Sequence, residues 1–311
     1  MRFARRPAVG GAAIIDPEAK RFLWICIAPV IVFLLVVSLT PFVVALIDSM
    51  REMSLTALLD HGQFLGLENY RRALQSDSGL FHSIFLTAIF VAVAVPAELA
   101  IGLAIAVLLN REFAGRRVWV TILLLPTMVA PVVVGMIWRF LLMPSFGFLT
   151  YYINHLGWFT DVPIFSNSVT AFIALVIVDI WEWTPFVMLF MLAGLFGMPK
   201  EPIEAAEIDG ARGWQIFWYV QLPALRPMIV LALLFRSIDA SKVFDIVHVL
   251  TEGGPGNATE LISVYAFRTS FVQWDLGVGA AVCLVLAFFS LLATSIFYKV
   301  VSRQTERRAL Q

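Results

Sequence analysis

Long apolar stretches alternate with short polar connections along almost the whole chain. A helix needs about 20 consecutive, mainly apolar residues to cross the hydrocarbon core of a bilayer. Stretches of this kind occupy residues 22–47, 83–109, 118–142, 168–196, 228–250 and 276–301. The pattern therefore predicts an all-α polytopic membrane protein with six transmembrane helices. The first stretch is longer than the apolar region of a signal peptide, so we expect it to be an uncleaved span.

The composition supports a membrane protein and excludes several other classes. Only 14% of the 311 residues are charged, against about a quarter in an ordinary soluble domain, and 60% are hydrophobic. The net charge is zero and there is no basic block, so nucleic acid is not an expected partner. Cys26 and Cys283 both lie in apolar stretches, so we expect neither a disulfide framework nor a metal site.

The distribution of basic residues predicts the orientation of the chain in the membrane. The two ends and the second and fourth connections together carry 15 Lys and Arg, whereas the other connections carry four. By the positive-inside rule, both termini are expected in the cytoplasm. The expected organisation is a cytoplasmic N-terminal tail (1–21), a first transmembrane helix (22–47), an extracytoplasmic loop (48–82), a five-helix core (83–301) and a cytoplasmic C-terminal tail (302–311).

One connection on the cytoplasmic side is unusually polar for this chain. It contains the sequence EAAEIDGARGWQIFWYVQLP at residues 204–223. Pro199 and Pro202 suit the start of a helix, and Gly210 suits a left-handed turn that ends it. A second short helix with one apolar side should follow, and we expect Pro223 to end that helix just before the fifth span. The segment 199–223 is thus predicted to be a helical hairpin that docks into a groove on a partner protein.

The spacing inside this hairpin resembles the EAA signature of the integral-membrane permeases of ABC importers. The residues Glu-Ala-Ala at 204–206 are followed by three residues and Gly210, and then by nine residues and Val-Gln-Leu-Pro at 220–223. Valine replaces the usual isoleucine, which keeps a similar shape. The segments 64–74, 181–195 and 233–260 also resemble the sugar-permease branch of this family.

The resemblance implies a MetI-like permease core whose cytoplasmic coupling helix docks into a separate ATPase subunit. The residues implied for this contact are Glu204, Ala205, Ala206, Asp209, Gly210, Leu222 and Pro223. It also implies a second homologous permease subunit, a dimeric cytoplasmic ABC ATPase, an extracytoplasmic solute-binding protein and a sugar or polyol substrate. The location implied is the cytoplasmic (inner) membrane of a bacterium. ATP and Mg²⁺ would be used by the ATPase partner, and no cofactor is expected in this chain.

Ionisable residues inside the predicted spans have two possible roles. Such residues are costly in a bilayer and are functional candidates by default. Arg236, Asp239 and Lys242 are spaced three residues apart, and Glu182 lies near the middle of the fourth span. These charges either pair with one another to hold the helices together or line a polar cavity for a hydroxylated solute. The lining residues implied by the resemblance are Glu182, Phe186, Arg236, Asp239, Ala240 and Val243.

Two further intramembrane charges have separate expectations. Arg139 lies near the outer end of the third span, so we expect its side chain to snorkel toward the interface. The pattern suggests no partner for Glu98 in the second span.

Other function classes fit the sequence less well. A P-loop is absent, because Gly-Lys never occurs, and no H-E-x-x-H or G-x-S-x-G motif is present. No catalytic residue is therefore expected, and an intramembrane enzyme is disfavoured. An ion-coupled secondary transporter could use Glu182, Asp239 and Arg236 as a proton relay. However, such transporters usually contain an internal inverted repeat. The six predicted spans show none, and this alternative leaves the EAA signature unexplained. An ABC permease for a non-carbohydrate solute remains open.

Overall fold

The computed structural model of the chain is helical, and it describes residues 17–54, 62–75, 79–156 and 163–309. Within these ranges the only extended pairings are two isolated bridges, Arg51 with Phe64 and Ser54 with Asp275. The expected tail at 1–21 lies mostly outside the described residues, as does part of the expected loop at 48–82.

The α-helices are, in chain order, α1 (Pro17–Leu34), α2 (Thr40–Asp48), α3 (Glu68–Gln75), α4 (Gly79–Leu109), α5 (Arg116–Leu124), α6 (Pro131–Leu141), α7 (Phe148–His155), α8 (Ser168–Phe196), α9 (Glu201–Ile208), α10 (Gly213–Ile216), α11 (Leu222–Ser241), α12 (Asp245–Leu250), α13 (Ile262–Phe267) and α14 (Leu276–Ala309). Four helical runs in the described residues are long and apolar enough to cross a membrane: Trp24–Asp48, Gly79–Leu109, Ser168–Phe196 and Gly213–Ser241. Pro131–Leu141 and Leu276–Leu292 are shorter apolar helices. The second and fourth predicted spans thus correspond closely to α4 and α8.

The third predicted span, 118–142, is divided into two helices. Helix α5 leads into a 3₁₀ turn at Pro126–Met128, and α6 begins only at Pro131 after two extended residues. Proline has no backbone N–H and disfavours helical geometry in the residue before it, so two prolines five residues apart break the helix.

The fifth predicted span, 228–250, begins earlier than expected and is interrupted near its end. Helix α11 begins at Leu222 and ends at Ser241, and α12 starts a separate short helix at Asp245. At the break, the hydroxyl of Ser263 donates a hydrogen bond to the free carbonyl of Val243. This contact comes from α13, so the local apolar pattern could not show it.

Pro223 does not end the second helix of the predicted hairpin, contrary to the expectation. Helix α10 continues through a π-helical turn at Phe217–Gln221 directly into α11. A π-turn pairs each N–H with the carbonyl five residues earlier, and this wider turn accommodates the ring and the missing N–H of Pro223. The hairpin is therefore continuous with a membrane helix.

The last predicted span also differs in length. Helix α14 begins at Leu276, as expected, but continues beyond residue 301 to Ala309. Most of the segment expected as a C-terminal tail is therefore helical.

The central contact of the fold is the packing of α4 against α8. Gly102 in α4 lies so close to α8 that a Cβ atom there would come within 2.9 Å of the backbone nitrogen of Met188. Met188 and Met191 are fully buried in the cluster around this contact. The absence of a side chain at Gly102 lets the two backbones approach closely, as small residues do in membrane helix pairs.

Substituting Gly102 with alanine is expected to force α4 and α8 apart and to destabilise the protein by about 1–3 kcal/mol. The melting temperature of the detergent-purified protein, followed by intrinsic tryptophan fluorescence, measures this loss. Gly213→Ala is the matched control, because a Cβ atom at Gly213 meets no atom within 4 Å. Equal melting temperatures for the two variants would contradict the close-packing account.

Candidate functional site

A buried ion cluster centred on Arg236 joins three of the long helices. The Arg236 side chain is 1% exposed, and its Nε and Nη2 donate to the two carboxylate oxygens of Glu98 at 2.6 and 2.8 Å. Nη2 also donates to Asp179 Oδ2 at 2.9 Å, and Nη1 donates to Asp239 Oδ2 at 2.8 Å. Glu98 comes from α4, Asp179 from α8, and Arg236 and Asp239 from α11. The cluster therefore ties α4, α8 and α11 together deep inside the bundle.

The guanidinium of Arg236 is also covered on one face by an aromatic ring. Its Cζ lies 4.6 Å from the centre of the Trp183 ring, a cation–π geometry. Because the bidentate pair with Glu98 and this stacked ring both require a planar fork, lysine could not reproduce the arrangement.

Two carboxylate oxygens near Arg236 have no hydrogen-bond partner among the described residues. They are Asp179 Oδ1 and Glu182 Oε2, and both belong to side chains that are at most 2% exposed. Glu182 interacts electrostatically with Arg236, Asp239 and Asp245, although it makes no ion pair shorter than 4.0 Å with a described residue. A buried acceptor without a donor is unfavourable, so these two oxygens are costly to bury.

The predicted lining residues occupy different environments. Glu182, Arg236 and Asp239 come together in or beside the cluster, and the side chain of Asp239 is 41% exposed. Phe186 lies in an aromatic row between Trp183 and Phe190, with ring centres 6.0 and 4.7 Å away.

The remaining two predicted lining residues belong to the apolar core. Ala240 is completely buried in the cluster that contains Ile246 and Val247, and Val243 packs against the same cluster. Val243 lies at the break between α11 and α12, whereas Ala240 has no exposed surface.

The hairpin of α9 and α10, which the sequence places on the expected cytoplasmic side, forms a second candidate site at the other end of α8 and α11. Helix α9 ends at Ile208, and Gly210 then adopts a left-handed conformation with φ of 79°. This is the turn expected at Gly210, because glycine enters this region without steric cost. Ile208 is 87% exposed. Ile208 therefore lies on the surface of the hairpin, next to the exposed residues Glu207 and Asp209.

The residues of the EAA signature are mostly on the surface of this hairpin. Glu204, Ala205 and Asp209 are exposed, and Ala206 is half-buried. Leu222 and Pro223 lie at the start of α11 and are also half-buried. Glu201 and Glu204 occupy the first turn of α9, where negative charge is favourable.

The structure supplies partners that sequence analysis did not predict. Arg139 Nη1 donates to the carbonyl of Val249 at 2.8 Å and to Glu252 Oε1 at 3.1 Å, and the Arg139 side chain is half-exposed, so the expected extension toward the interface stays a prediction. This contact fastens α6 to the end of α12. Glu98, for which the sequence suggested no partner, is the bidentate partner of Arg236. The sequence signal that could have indicated such a partner is the presence of a single carboxylate, Glu98, within an apolar span.

No group of three or more His, Cys, Asp or Glu side chains within the described parts of the chain is arranged to hold a metal ion.

The long apolar helices, the internal ion cluster and the exposed hairpin define a helical integral-membrane permease. Its fold matches that of a chain in the crystal structure of a bacterial alginate ABC transporter in complex with alginate pentasaccharide-bound periplasmic protein, with a TM-score of 0.81. That match covers 93% of this chain and 96% of the other at 19% identity. Residues 98–307 match the family described as "Binding-protein-dependent transport system inner membrane component". The chain belongs to this family and is a non-enzymatic membrane component of an ABC transporter.

Curated relatives agree with this assignment over most of the chain. The trehalose/maltose transport system permease protein MalF of Thermococcus litoralis is 39% identical over 240 residues, which cover 77% of this chain and 80% of the relative. The sn-glycerol-3-phosphate transport system permease protein UgpA of Agrobacterium fabrum is 31% identical over 283 residues, which cover 90% of this chain and 94% of the relative.

Proposed function

We propose that this chain is the permease subunit of an ATP-driven importer that carries a sugar, a polyol or a related hydroxylated solute across the inner membrane. The names of the relatives support this class of solute. These names include disaccharides and a phosphorylated polyol. Membership of the family therefore does not decide whether the solute is neutral or negatively charged. The expected topology keeps both termini in the cytoplasm.

The observation that carries the coupling part of the proposal is the exposed hairpin α9–α10. Its turn at Gly210 presents Ile208 and the carboxylates of α9 to solvent, and it continues into α11 without a break in the helix. A force applied to the hairpin would therefore be transmitted directly to the helix that carries Arg236 and Asp239. We infer that a cytoplasmic ATPase binds here, and that closure of the ATPase dimer moves α11.

The importer requires partners besides the ATPase. A second, homologous permease completes the membrane unit, and an extracytoplasmic solute-binding protein delivers the solute. The alginate ABC transporter chain of similar fold was crystallised in a complex with a periplasmic protein, which supports this arrangement. In this scheme ATP and Mg²⁺ act only in the ATPase, and the permease performs no covalent chemistry.

Reconstitution of the complete complex into proteoliposomes tests the proposal. Uptake of a labelled sugar or polyol is expected to require ATP on the hairpin side together with the solute-binding protein. Uptake should also persist when ionophores collapse every ion gradient. A secondary transporter would give the opposite result: uptake driven by an ion gradient without ATP, lost on addition of the ionophore.

A further inference from the structure

A cavity of about 970 Å³ lies between α5 and α8, at the end of the bundle from which the hairpin of α9 and α10 emerges. Arg116 and Arg117, the first two residues of α5, line it together with Glu112 from the preceding connection. Phe196, the last residue of α8, lines it from the other helix. The cavity shares no residue with the ion cluster around Arg236, so it is a separate site.

The walls of this cavity become apolar away from the helix ends. Val120 lies about one turn beyond Arg116 on α5, and Leu189 lies about two turns before Phe196 on α8. Two turns of α-helix span about 10 Å. Leu189 is 45% exposed, so this apolar wall is open to the surroundings of the helix bundle. The cavity is therefore charged at its rim and apolar along the direction of the two helices.

Neither arginine at the rim is neutralised by its own chain. Within the described residues, no ion pair shorter than 4.0 Å joins Arg116 or Arg117 to a carboxylate. The Cζ of Arg116 lies 4.4 Å from the centre of the Phe196 ring, a cation–π contact that holds the guanidinium at the cavity. The described lining residues include two arginines and one carboxylate, Glu112, so positive charge is in excess.

We propose that this cavity binds an anionic phospholipid of the surrounding bilayer. Arg116 and Arg117 donate to the lipid phosphate, as basic side chains in pockets between membrane helices do. One acyl chain packs against Val120 and Leu189 and removes these apolar walls from water. The inference goes beyond the proposed function, because it adds a lipid ligand that neither solute recognition nor ATPase docking requires.

The chemistry of the walls favours a lipid over a soluble ligand. A soluble phosphate would occupy the charged rim and leave the apolar walls unfilled. A hydroxylated solute would need hydrogen-bonding partners deeper in the cavity, where Val120 and Leu189 offer none. The hydroxyl of Thr121, which also lines the cavity, already donates to the carbonyl of Arg117 at 2.9 Å. Trp119 on the same helix is 55% exposed, as is typical of tryptophan at the level of lipid headgroups.

Photo-crosslinking in the complete complex tests this proposal. The complex is reconstituted into phosphatidylcholine vesicles that contain a small fraction of a lipid with a diazirine near the glycerol end of one acyl chain. This probe is either phosphatidylglycerol or phosphatidylcholine, with identical acyl chains. After illumination, mass spectrometry of the peptides that contain residues 116–124 and 189–196 measures labelling at the cavity.

The phosphatidylglycerol probe is expected to label these peptides at least about tenfold more than the phosphatidylcholine probe. Each basic side chain near an anionic lipid contributes roughly a fivefold preference, and Glu112 offsets part of it. The double variant Arg116→Gln/Arg117→Gln should remove most of the preference. Glu112→Gln should increase it several-fold, a gain that a loss of folding could not produce. Arg111→Gln is the matched control and should leave the preference unchanged, because Arg111 is exposed on the same connection and does not line the cavity.

Four results would overturn the proposal. Equal labelling by the two probes would show ordinary contact with the bilayer, and no labelling by either would show that a partner protein covers the cavity. A loss of preference in Arg111→Gln as large as in the double variant would attribute the effect to general surface charge. Unlabelled phosphatidylglycerol is expected to displace the probe. Displacement by inorganic phosphate, but not by potassium chloride of equal ionic strength, would assign the site to a soluble anion.

Discussion

Arg236→Leu is expected to abolish accumulation of the folded permease. The substitution leaves Glu98 and Asp179 buried without their cation, and each is at most 1% exposed. Removing one partner from a buried ion cluster costs about 3–5 kcal/mol, because the remaining charges lose their compensation. Size-exclusion profiles and melting curves of the detergent-purified protein measure the loss.

Two companion variants separate charge pairing from simple loss of volume. Arg236→Lys keeps the charge but loses the bidentate contact to Glu98 and the planar stacking on Trp183, so we expect an intermediate stability. Combining Arg236→Leu with Glu98→Leu and Asp179→Leu should recover part of the lost stability, because the unpaired charges are then gone. A single Arg236→Leu variant with the melting temperature of the wild type would contradict the structural role of the cluster.

Gly210→Pro is expected to abolish ATP-dependent uptake while the protein still inserts and folds. Gly210 has φ of 79°, whereas proline fixes φ near −65°, and the N–H of Gly210 donates to the carbonyl of Glu207 at 3.0 Å. The substitution therefore changes the direction of the chain between α9 and α10 and moves Ile208 away from its docking position. Uptake into proteoliposomes and the yield of monodisperse protein are measured together.

Gly210→Ala is the graded control for this prediction. A Cβ atom at Gly210 meets nothing within 4 Å, so alanine adds only the strain of the left-handed conformation, about 1–2 kcal/mol. We expect this variant to keep a substantial part of the uptake. Wild-type uptake by Gly210→Pro would show that the geometry of the turn has no part in coupling.

The sequence predicted the parts of the fold that depend on local patterns. The apolar stretches at 83–109 and 168–196 became α4 and α8, because length and hydropathy alone decide whether a helix can cross a membrane. The left-handed turn at Gly210 followed from the conformational freedom of glycine. These features need no knowledge of the tertiary structure.

The features that the sequence could not predict depend on contacts between distant segments. The break after α11 is stabilised by the hydroxyl of Ser263, and Glu98 and Arg236 meet across 138 positions of the chain. The regular spacing of Arg236, Asp239 and Lys242 left pairing and cavity lining open, and it could not show that three carboxylates from three helices pair with Arg236. Pro223 was expected to end a helix, and the π-turn that accommodates it has no clear signature in the apolar pattern.

The most direct test of the central claim is purification of the tagged chain from its native membranes in a mild detergent, followed by identification of the co-purified proteins. The account predicts that a P-loop ATPase and a second permease co-purify with the wild type. Glu204→Lys should lose the ATPase and keep the second permease, because it reverses a charge on the exposed surface of α9. Glu112→Lys, at an exposed residue of the connection between α4 and α5, should retain both partners. Recovery of the wild type alone from membranes that contain ABC ATPases, or retention of the ATPase by Glu204→Lys, would contradict the assignment of α9–α10 as the ATPase-coupling site.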